Sequence, residues 1–431
     1  MTDHMTDPVS DQINDHAPSA GAPAALTRRR LLGTVGAAGA AGVALGATGG
    51  ALVHAAVESD GSGAPELSSV GTAEVAFHVK HQAGIATPVQ ACGHLIAFDL
   101  APGAGRKEAA ALMRRWSATA KALMAGETTG ADTGIALDAG PSSLTVTFGF
   151  GRTFFDRTGL VAQRPAELDP LPDFSSDRLD AKRSHGDLWV QIGADDALVT
   201  FHALRALQKD AGAAARVRWQ MNGFNRTPGA TKKPMTARNL MGQIDGTGNP
   251  KPTDPDFEKR IFVPDSGKPA WMANGSYAVV RRIRMLLDDW EKVPLAQQEQ
   301  VIGRRKTDGA PLSGGTETTP MRLDAFGPDG KLVIPDNAHA RISAPEQNGG
   351  AAMLRRAFSY HDGISADGVP DAGLLFIAWQ ADPLRGFVPV QRKLDRGDAL
   401  SAFIRHEASG LFAVPGGPRA GEYVGQLLLE S

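Results

Sequence analysis

The stretch NLMGQIDGTGNP, residues 239–250, sets one carboxylate, Asp245, among three glycines and closes on a proline. Two readings fit it. Asp-Gly sequences make turns because both residues tolerate left-handed backbone. Glycine also lets backbone lie flat against a ligand, which would leave Asp245 projecting over it. Two other places carry residue types suited to such a ligand. His339 sits in PDNAHARISAPEQNGG, polar and rich in turn residues, between two periodic segments, and histidine is the commonest metal ligand. Arg355 and Arg356 follow an apolar run in AAMLRRAFSYHDG. Adjacent side chains on a strand point to opposite faces, so one would enter a pocket while the other stays solvated. A plain turn, a surface imidazole and a pair of surface charges remain the alternatives at this level.

The remaining histidines are less suggestive. His4, His16 and His54 fall in an N-terminal leader, and His78, His94 and His202 sit in strand or helix patterns as packing or surface residues. His81 lies in the turn-like HQAGIATP, His185 precedes a strand, and His406 falls late in a helical pattern. No HxxxH, HExxH or CxxC spacing occurs, so no local motif builds a zinc site. Nor is there a GxSxG, a P-loop or a GxGxxG at a strand-to-helix junction, which leaves hydrolase and nucleotide-binding readings unsupported.

Positioning such residues takes a sizeable fold. The chain has 431 residues, 42% hydrophobic and 21% charged, with a net charge of -2. Those values suit one large or two medium folded domains and give no basic patch for nucleic acid or membrane. HLIAFDL, SSLTVTFGFG, GDLWVQIGAD, GSYAVVRRIRM and GLLFIAWQAD read as strands, and AEVAFHVKHQAGIATP opens with alternating apolar residues before a turn. KEAAALMRRWSATAKALM, DALVTFHALRALQKDAG, PLAQQEQVIGRR and DALSAFIRH read as helices. Strands and helices mix without regular alternation, which predicts α+β with antiparallel sheets. GDLWVQIGADD and AGLLFIAWQAD are similar runs that end on an acid, and each half carries a Gly/Pro turn, HQAGIATP or GQIDGTGNP. A duplicated α+β unit with a boundary near NRTPGATKKP explains this, as does chance.

The first residues stand apart. Thr27, Arg28 and Arg29 precede Leu31 and Leu32, a Gly/Ala/Val stretch follows, and small residues cluster near Val53-His54-Ala55. That order predicts a twin-arginine export signal and leader over residues 1–55, with a membrane anchor as the alternative. Cys92 is the one cysteine, so no internal disulfide can form. A chain exported folded and without disulfides points to a bound prosthetic group.

Taken in order, HQAGIATP, LTVTFGFGRTFFDRTGL, GDLWVQIGADD, GQIDGTGNP, IGRRKTDGAPL, AHARISAP, MLRRAFSYHDG and GLLFIAWQADPLRGFVPVQRKL resemble the dye-decolorizing peroxidases, in particular the twin-arginine-exported group with the deferrochelatase-like proteins. The resemblance runs from about Glu74 to the C-terminus. It implies tandem ferredoxin-like units of the dimeric α+β barrel type, residues 70–228 and 235–431, with one haem b per chain in the C-terminal unit. It also implies a distal aspartate at Asp245, a distal arginine at Arg355 and a proximal iron ligand at His339. Haem contacts fall on Gly246, Thr247, Gly248 and Arg355, and on the loop Ala344, Pro345 and Glu346, which departs from the NPR common in relatives. Arg341 is a candidate propionate counter-charge, Leu374 and Phe376 would line the distal side, and Asp398 is a candidate carboxylate for the Nδ1–H of His339.

The implied activity is an exported haem peroxidase that reduces H2O2 and oxidises bulky phenolic or dye-like donors. The alternatives are a deferrochelatase-like protein that releases iron from haem, and a non-catalytic haem-binding protein. An aspartate, with an ordinary pKa of about 3.9, is ionised at mildly acid pH and can take a proton from peroxide. An arginine stabilises the peroxide anion and the departing hydroxide. A closed pocket would route electrons through surface aromatics, with Trp189, Trp219, Trp271, Trp290, Trp379, Tyr360 and Tyr423 as candidates. Partners beyond peroxide and a small reducing substrate are the twin-arginine export machinery. A homo-oligomer is left open.

Overall fold

The computed structural model describes residues 70–129, 132–231 and 235–431; the expected export segment, residues 1–55, lies outside them. In the first half, β1 (Cys92–Leu100) leads through helix α1 (Arg106–Met124) to β2 (Thr145–Gly151) and β3 (Leu188–Ala194). Helix α2 (Ala197–Ala211) then returns the chain to β4 (Ala215–Phe224). The four strands lie in the antiparallel order β2-β3-β1-β4.

The second half repeats this plan. It contains β5 (Ser276–Met285), the short helix α3 (His339–Ser343), β6 (Leu354–Arg355), β7 (Phe358–Ile364), β8 (Pro370–Gln380), helix α4 (Phe387–Gly397) and β9 (Ile404–Val414). Its order is β9-β5-β8-β7, with β6 also on β8. Pairing of β2 with β9 and of β4 with β7 joins the halves, and the strand order closes on itself as a barrel. This is the tandem ferredoxin-like α+β arrangement. GDLWVQIGADD and AGLLFIAWQAD form β3 and β8, which hold the same place in their respective units.

Periodicity explains the covering helices. Ala109, Leu112, Met113, Trp116, Ala120 and Leu123 make one buried stripe on α1. Glu108 Oε2 accepts the Gly105 N–H at 2.9 Å and holds the first turn. Asp196 caps α2 by accepting the N–H groups of Leu198 at 2.7 Å and Val199 at 3.1 Å. Trp116 Nε1 donates to the Leu207 carbonyl at 2.8 Å and ties the helices together. On the opposite face, inside the barrel, Trp189 stacks on Phe412 at 5.3 Å and lies 5.9 Å from Trp379. Burying side chains of this size stabilises the fold by about 1.5–3 kcal/mol each.

Two segments differ from their sequence pattern. AEVAFHVKHQAGIATP forms no strand. Gln82 anchors it instead, donating to the carbonyls of Phe148 and Pro415 at 3.0 Å and accepting the Phe148 N–H at 2.9 Å. DALSAFIRH is not a helix beyond one 3-10 turn, Ala399–Phe403. The chain from Ile404 then pairs with β5, so His406 stands on a strand. Pairing with a central strand overrides the local helical spacing. Among the described residues no helix is long and apolar enough to cross a membrane.

Candidate functional site

A cavity of about 280 Å³ opens in the second half, and every residue lining it lies between Asn239 and His406. This is near the lower end of the ~300–1,000 Å³ typical of ligand sites. Its apolar wall includes Met241, Ile283, Met285, Phe376, Phe387 and Leu394.

The 239–250 stretch is a turn and also a cavity wall. Asn239 Oδ1 accepts the N–H groups of Met241 at 3.0 Å and Gln243 at 3.3 Å, while the Asp245 N–H donates to the Ala237 carbonyl at 2.9 Å. Gly246 and Gly248 have φ of 134° and 76°, values that disfavour a side chain. At Gly248 the place of a Cβ is clear of protein atoms within 4 Å. Asp245 Oδ2 accepts from Asn239 Nδ2 at 3.2 Å, and its Oδ1 accepts from Arg355 Nη1 at 3.2 Å. Arg355 is fixed along its whole length. Its backbone N–H and Nε donate to Asn249 Oδ1 at 3.1 and 3.2 Å, and Nη2 donates to the Thr247 carbonyl at 3.0 Å. The strand β6 supplies it, paired to Trp379 and Ala378 of β8. Glu317 braces the loop from behind, accepting from the hydroxyls of Thr236 at 2.6 Å and Thr247 at 2.9 Å.

His339 opens α3 and lines the same cavity. Its Nδ1 lies 2.7 Å from Asp398 Oδ2. Asp398 is buried at the end of α4, and its other oxygen accepts the Leu400 N–H at 2.9 Å. Burial presses the imidazole toward neutrality, but the Asp398 carboxylate outweighs it and holds the pKa above the ordinary value in the ligand-free protein. An Nδ1–H held by a carboxylate leaves Nε2 as the ligating nitrogen. Both Asp245 and Arg355 lie near enough to His339 for their charges to act on it.

Other expected residues divide. Gly246, Thr247, Gly248, Ala344, Pro345, Leu374 and Phe376 line the cavity; Glu346 is exposed and does not. Arg341 also turns away, donating to the carbonyls of Leu323 and Ile334. Arg356 is not solvated. It is 2% exposed and donates to the carbonyls of Thr87 and Pro88 at 3.0 Å and to Gln90, and burial pushes its pKa down to about 10. The seven aromatics proposed as surface relays are all buried, none more than 8% exposed.

Sequence reasoning missed Asn249, although it stands in the opening stretch, and it missed Arg281 and His406 on β5 and β9. Arg281 is 1% exposed, pairs with Asp177 through Nη2, and leaves Nε and Nη1 without a partner among the described residues. His406 Nδ1 is likewise buried and unpartnered, and burial together with Arg281 pushes its pKa down to about 3. Both line the cavity. The signal for Arg281 was the set of three arginines, Arg281, Arg282 and Arg284, inside the strand-like run GSYAVVRRIRM.

The donor set restricts what the cavity can hold. Two imidazoles line it, those of His339 and His406, and among the described residues no three His, Cys, Asp or Glu side chains gather around a metal position. A metal there must bring most of its own ligands in a flat, largely apolar frame, as a haem does. Known proteins agree with that chemistry. The families described as Dyp-type peroxidase, N-terminal and Dyp-type peroxidase, C-terminal match residues 82–225 and 236–419. The dye-decolorizing peroxidase of Thermobifida fusca (strain YX) is 44% identical over 420 residues, covering 94% of this chain and 97% of that one. The deferrochelatase of Escherichia coli (strain K12) is 35% identical with the same coverage. The structure of ferric DtpA from Streptomyces lividans is 75% identical, covers 85% of this chain and 99% of its own, and superposes with a TM-score of 0.83. This chain belongs to the dye-decolorizing peroxidase family.

Proposed function

We propose that this peroxidase works on hydrogen peroxide with haem b in the 239–406 cavity, held through His339, with Asp245 and Arg355 acting on the peroxide. The carrying observation is that the His339–Asp398 and Asp245–Arg355 pairs line one apolar cavity. When bound, haem supplies an iron with an open position at which peroxide is reduced. The protein's own residues do the rest. Asp398 holds the Nδ1 proton of His339 and so keeps the opposite nitrogen available to the metal. Asp245 takes the first peroxide proton and returns it to the departing oxygen, so that water leaves. Arg355 offers fixed positive charge to both oxygens, already aimed by Asn249 and Thr247, so it costs no reorganisation during the reaction. Gly246, Thr247, Gly248, Ala344 and Pro345 supply backbone around the group.

The reducing substrate is a bulky phenolic or dye-like donor. A cavity this size filled by haem has no room for it, so the donor binds outside. The deferrochelatase relative supports a second reading, iron release from haem, but the more similar Thermobifida fusca protein carries the peroxidase name. Export by the twin-arginine route rests on Arg28, Arg29 and the small-residue stretch after them; N-terminal sequencing of the secreted protein tests it.

Steady-state peroxide kinetics with a phenolic donor test the site. Arg355→Leu should lower kcat/KM for peroxide by about 10²–10³, and Asp245→Asn by no more, because water can relay a proton but cannot replace a fixed charge. A near-wild-type Arg355→Leu enzyme would refute the assignment. Iron-free porphyrin released from added haem, with no donor oxidation, would favour the second reading.

A further inference from the structure

Arg281 is a buried cation only partly matched. Its Nη2 pairs with Asp177, while Nε and Nη1 are buried without any partner among the described residues. Desolvation lowers its pKa and Asp177 restores part of the loss, yet two donor nitrogens remain unused at a cavity wall. Leaving such donors without an acceptor costs the desolvation of each N–H, most of all on a charged group. The rings of Phe174 and Phe387 lie 5.5 and 5.8 Å from the guanidinium carbon and offer no acceptor oxygen. His406 adds a second unfilled position. Its Nδ1 is buried and unpartnered, and it feels the charges of both Arg281 and His339. The side chain of Gln391, on the same wall, is buried and has no hydrogen-bond partner among the described residues. Three polar side chains thus meet an apolar cavity with their hydrogen-bonding capacity open.

We infer that Arg281, with His406 and Gln391 beside it, is the anchor for a propionate carboxylate of the bound haem. A carboxylate is the acceptor that fits: one oxygen takes an N–H of the guanidinium and the other accepts from a neighbouring N–H. Arg281 gives Nη2 to Asp177 and keeps Nε and Nη1, which lie on different edges of the guanidinium, so a second carboxylate takes one of them. The role expected of Arg341 by sequence moves to β5, because Arg341 spends its guanidinium on the Leu323 and Ile334 carbonyls outside the cavity. The inference rests on the reading that the cavity holds haem at His339.

The test compares haem b with its dimethyl ester, in which both propionates are neutral. Apo-protein is titrated with each and the dissociation constants are read from absorption. The ester is the more apolar ligand, so burial alone favours it. Wild type should nevertheless bind haem b at least about tenfold more tightly, the discrimination expected of one charge-assisted contact. Arg281→Met combined with Asp177→Asn removes the anchor without stranding its partner, and should reduce the preference to about threefold or less through weaker binding of haem b alone. Equal wild-type affinity for the two ligands overturns the inference while leaving haem binding intact. So does a folded double variant that keeps the full preference. Failure of wild type to bind either ligand overturns the haem reading itself, and the anchor with it.

Discussion

β3 and β8 hold the same place in the two halves, yet the same face of each meets different surroundings. On β3, Leu188, Val190 and Ile192 are buried in the core beneath α1 and α2. On β8, Leu374 and Phe376 alternate in the same way but are only half-buried and line the cavity. The cover differs. The first half uses helices of 19 and 15 residues. In the second half α4 has 11 residues, and the rest of the cover is short helices and turns such as 239–250 and 339–348. Long amphipathic helices fill every position over a sheet with apolar side chains. Irregular segments leave space and present backbone, acids and imidazoles to it.

That difference predicts two separable kinds of damage. His339→Ala should have the largest effect: loss of the axial ligand, read as a changed absorption spectrum and haem that transfers readily to a competing acceptor protein. Retention of the wild-type spectrum would remove His339 as the ligand. In the covered half, Trp116→Ala should cost about 3–5 kcal/mol of stability, since Trp116 is fully buried and bonded to Leu207. Denaturant unfolding measures it. Peroxide kcat/KM of the folded, haem-loaded variant should stay near wild type. A matching loss of kcat/KM would show that the two halves do not divide packing from chemistry.

A pH effect of about 2 kcal/mol follows from His406. Its pKa in the folded, ligand-free protein is about 3 against an ordinary 6.5, set by burial, then Arg281, with Asp395 opposing and His339 adding. The unfolded chain therefore takes up a proton as pH falls through 6.5, and the native chain does so only near 3. The stability is complete above pH 6.5 and lost progressively below it. At pH 5 the loss is about 1.5 units at ~1.36 kcal/mol each. Urea unfolding of the ligand-free protein at pH 7 and pH 5 should show a difference smaller by this amount in His406→Leu. An unchanged difference would mean that His406 is not buried neutral.

The same contrast decides what could be read from the chain. Strands β1, β2, β3, β5 and β8 and helices α1 and α2 are legible because their burial is regular: one stripe or one alternating face per element. β9 was hidden because IRHEASGLFAV follows an Asp398 cap that locally looks like the start of a helix, and only its pairing with β5 and β2 reveals it as a strand. Asp245, His339 and Arg355 were found by residue type and by the order of motifs around them. Arg281 and His406 were not. Arg281 lies in a run that reads as sheet and His406 in one that reads as helix, and their significance lies in unpartnered nitrogens on two strands 125 positions apart in the chain, which spacing cannot express. Arg356 failed for a related reason. Alternation correctly sent it to the opposite face from Arg355, but that face is packed against Thr87, Pro88 and Gln90 of the first half rather than solvent.

The smallest effect belongs to Asn249, and it is the finest probe of how irregular segments position chemistry. Its Oδ1 accepts from the Arg355 backbone N–H and from Nε, and its Nδ2 donates to the Arg355 carbonyl at 2.7 Å. Asn249 thus clamps both the strand β6 and the root of the guanidinium, while Asp245 and the Thr247 carbonyl hold only its tip. Asn249→Ala leaves the tip contacts and frees the root, so the charge stays in the cavity but loses part of its aim. A misplacement of this kind reduces the stabilisation offered to the reacting oxygens without changing what binds the haem. The expected result is a fall of about tenfold in kcat/KM for peroxide, close to one hydrogen bond's share, with haem affinity unaltered. If Asn249 serves only to hold the loop together, the outcome reverses: the melting temperature drops and kcat/KM of the folded enzyme does not move.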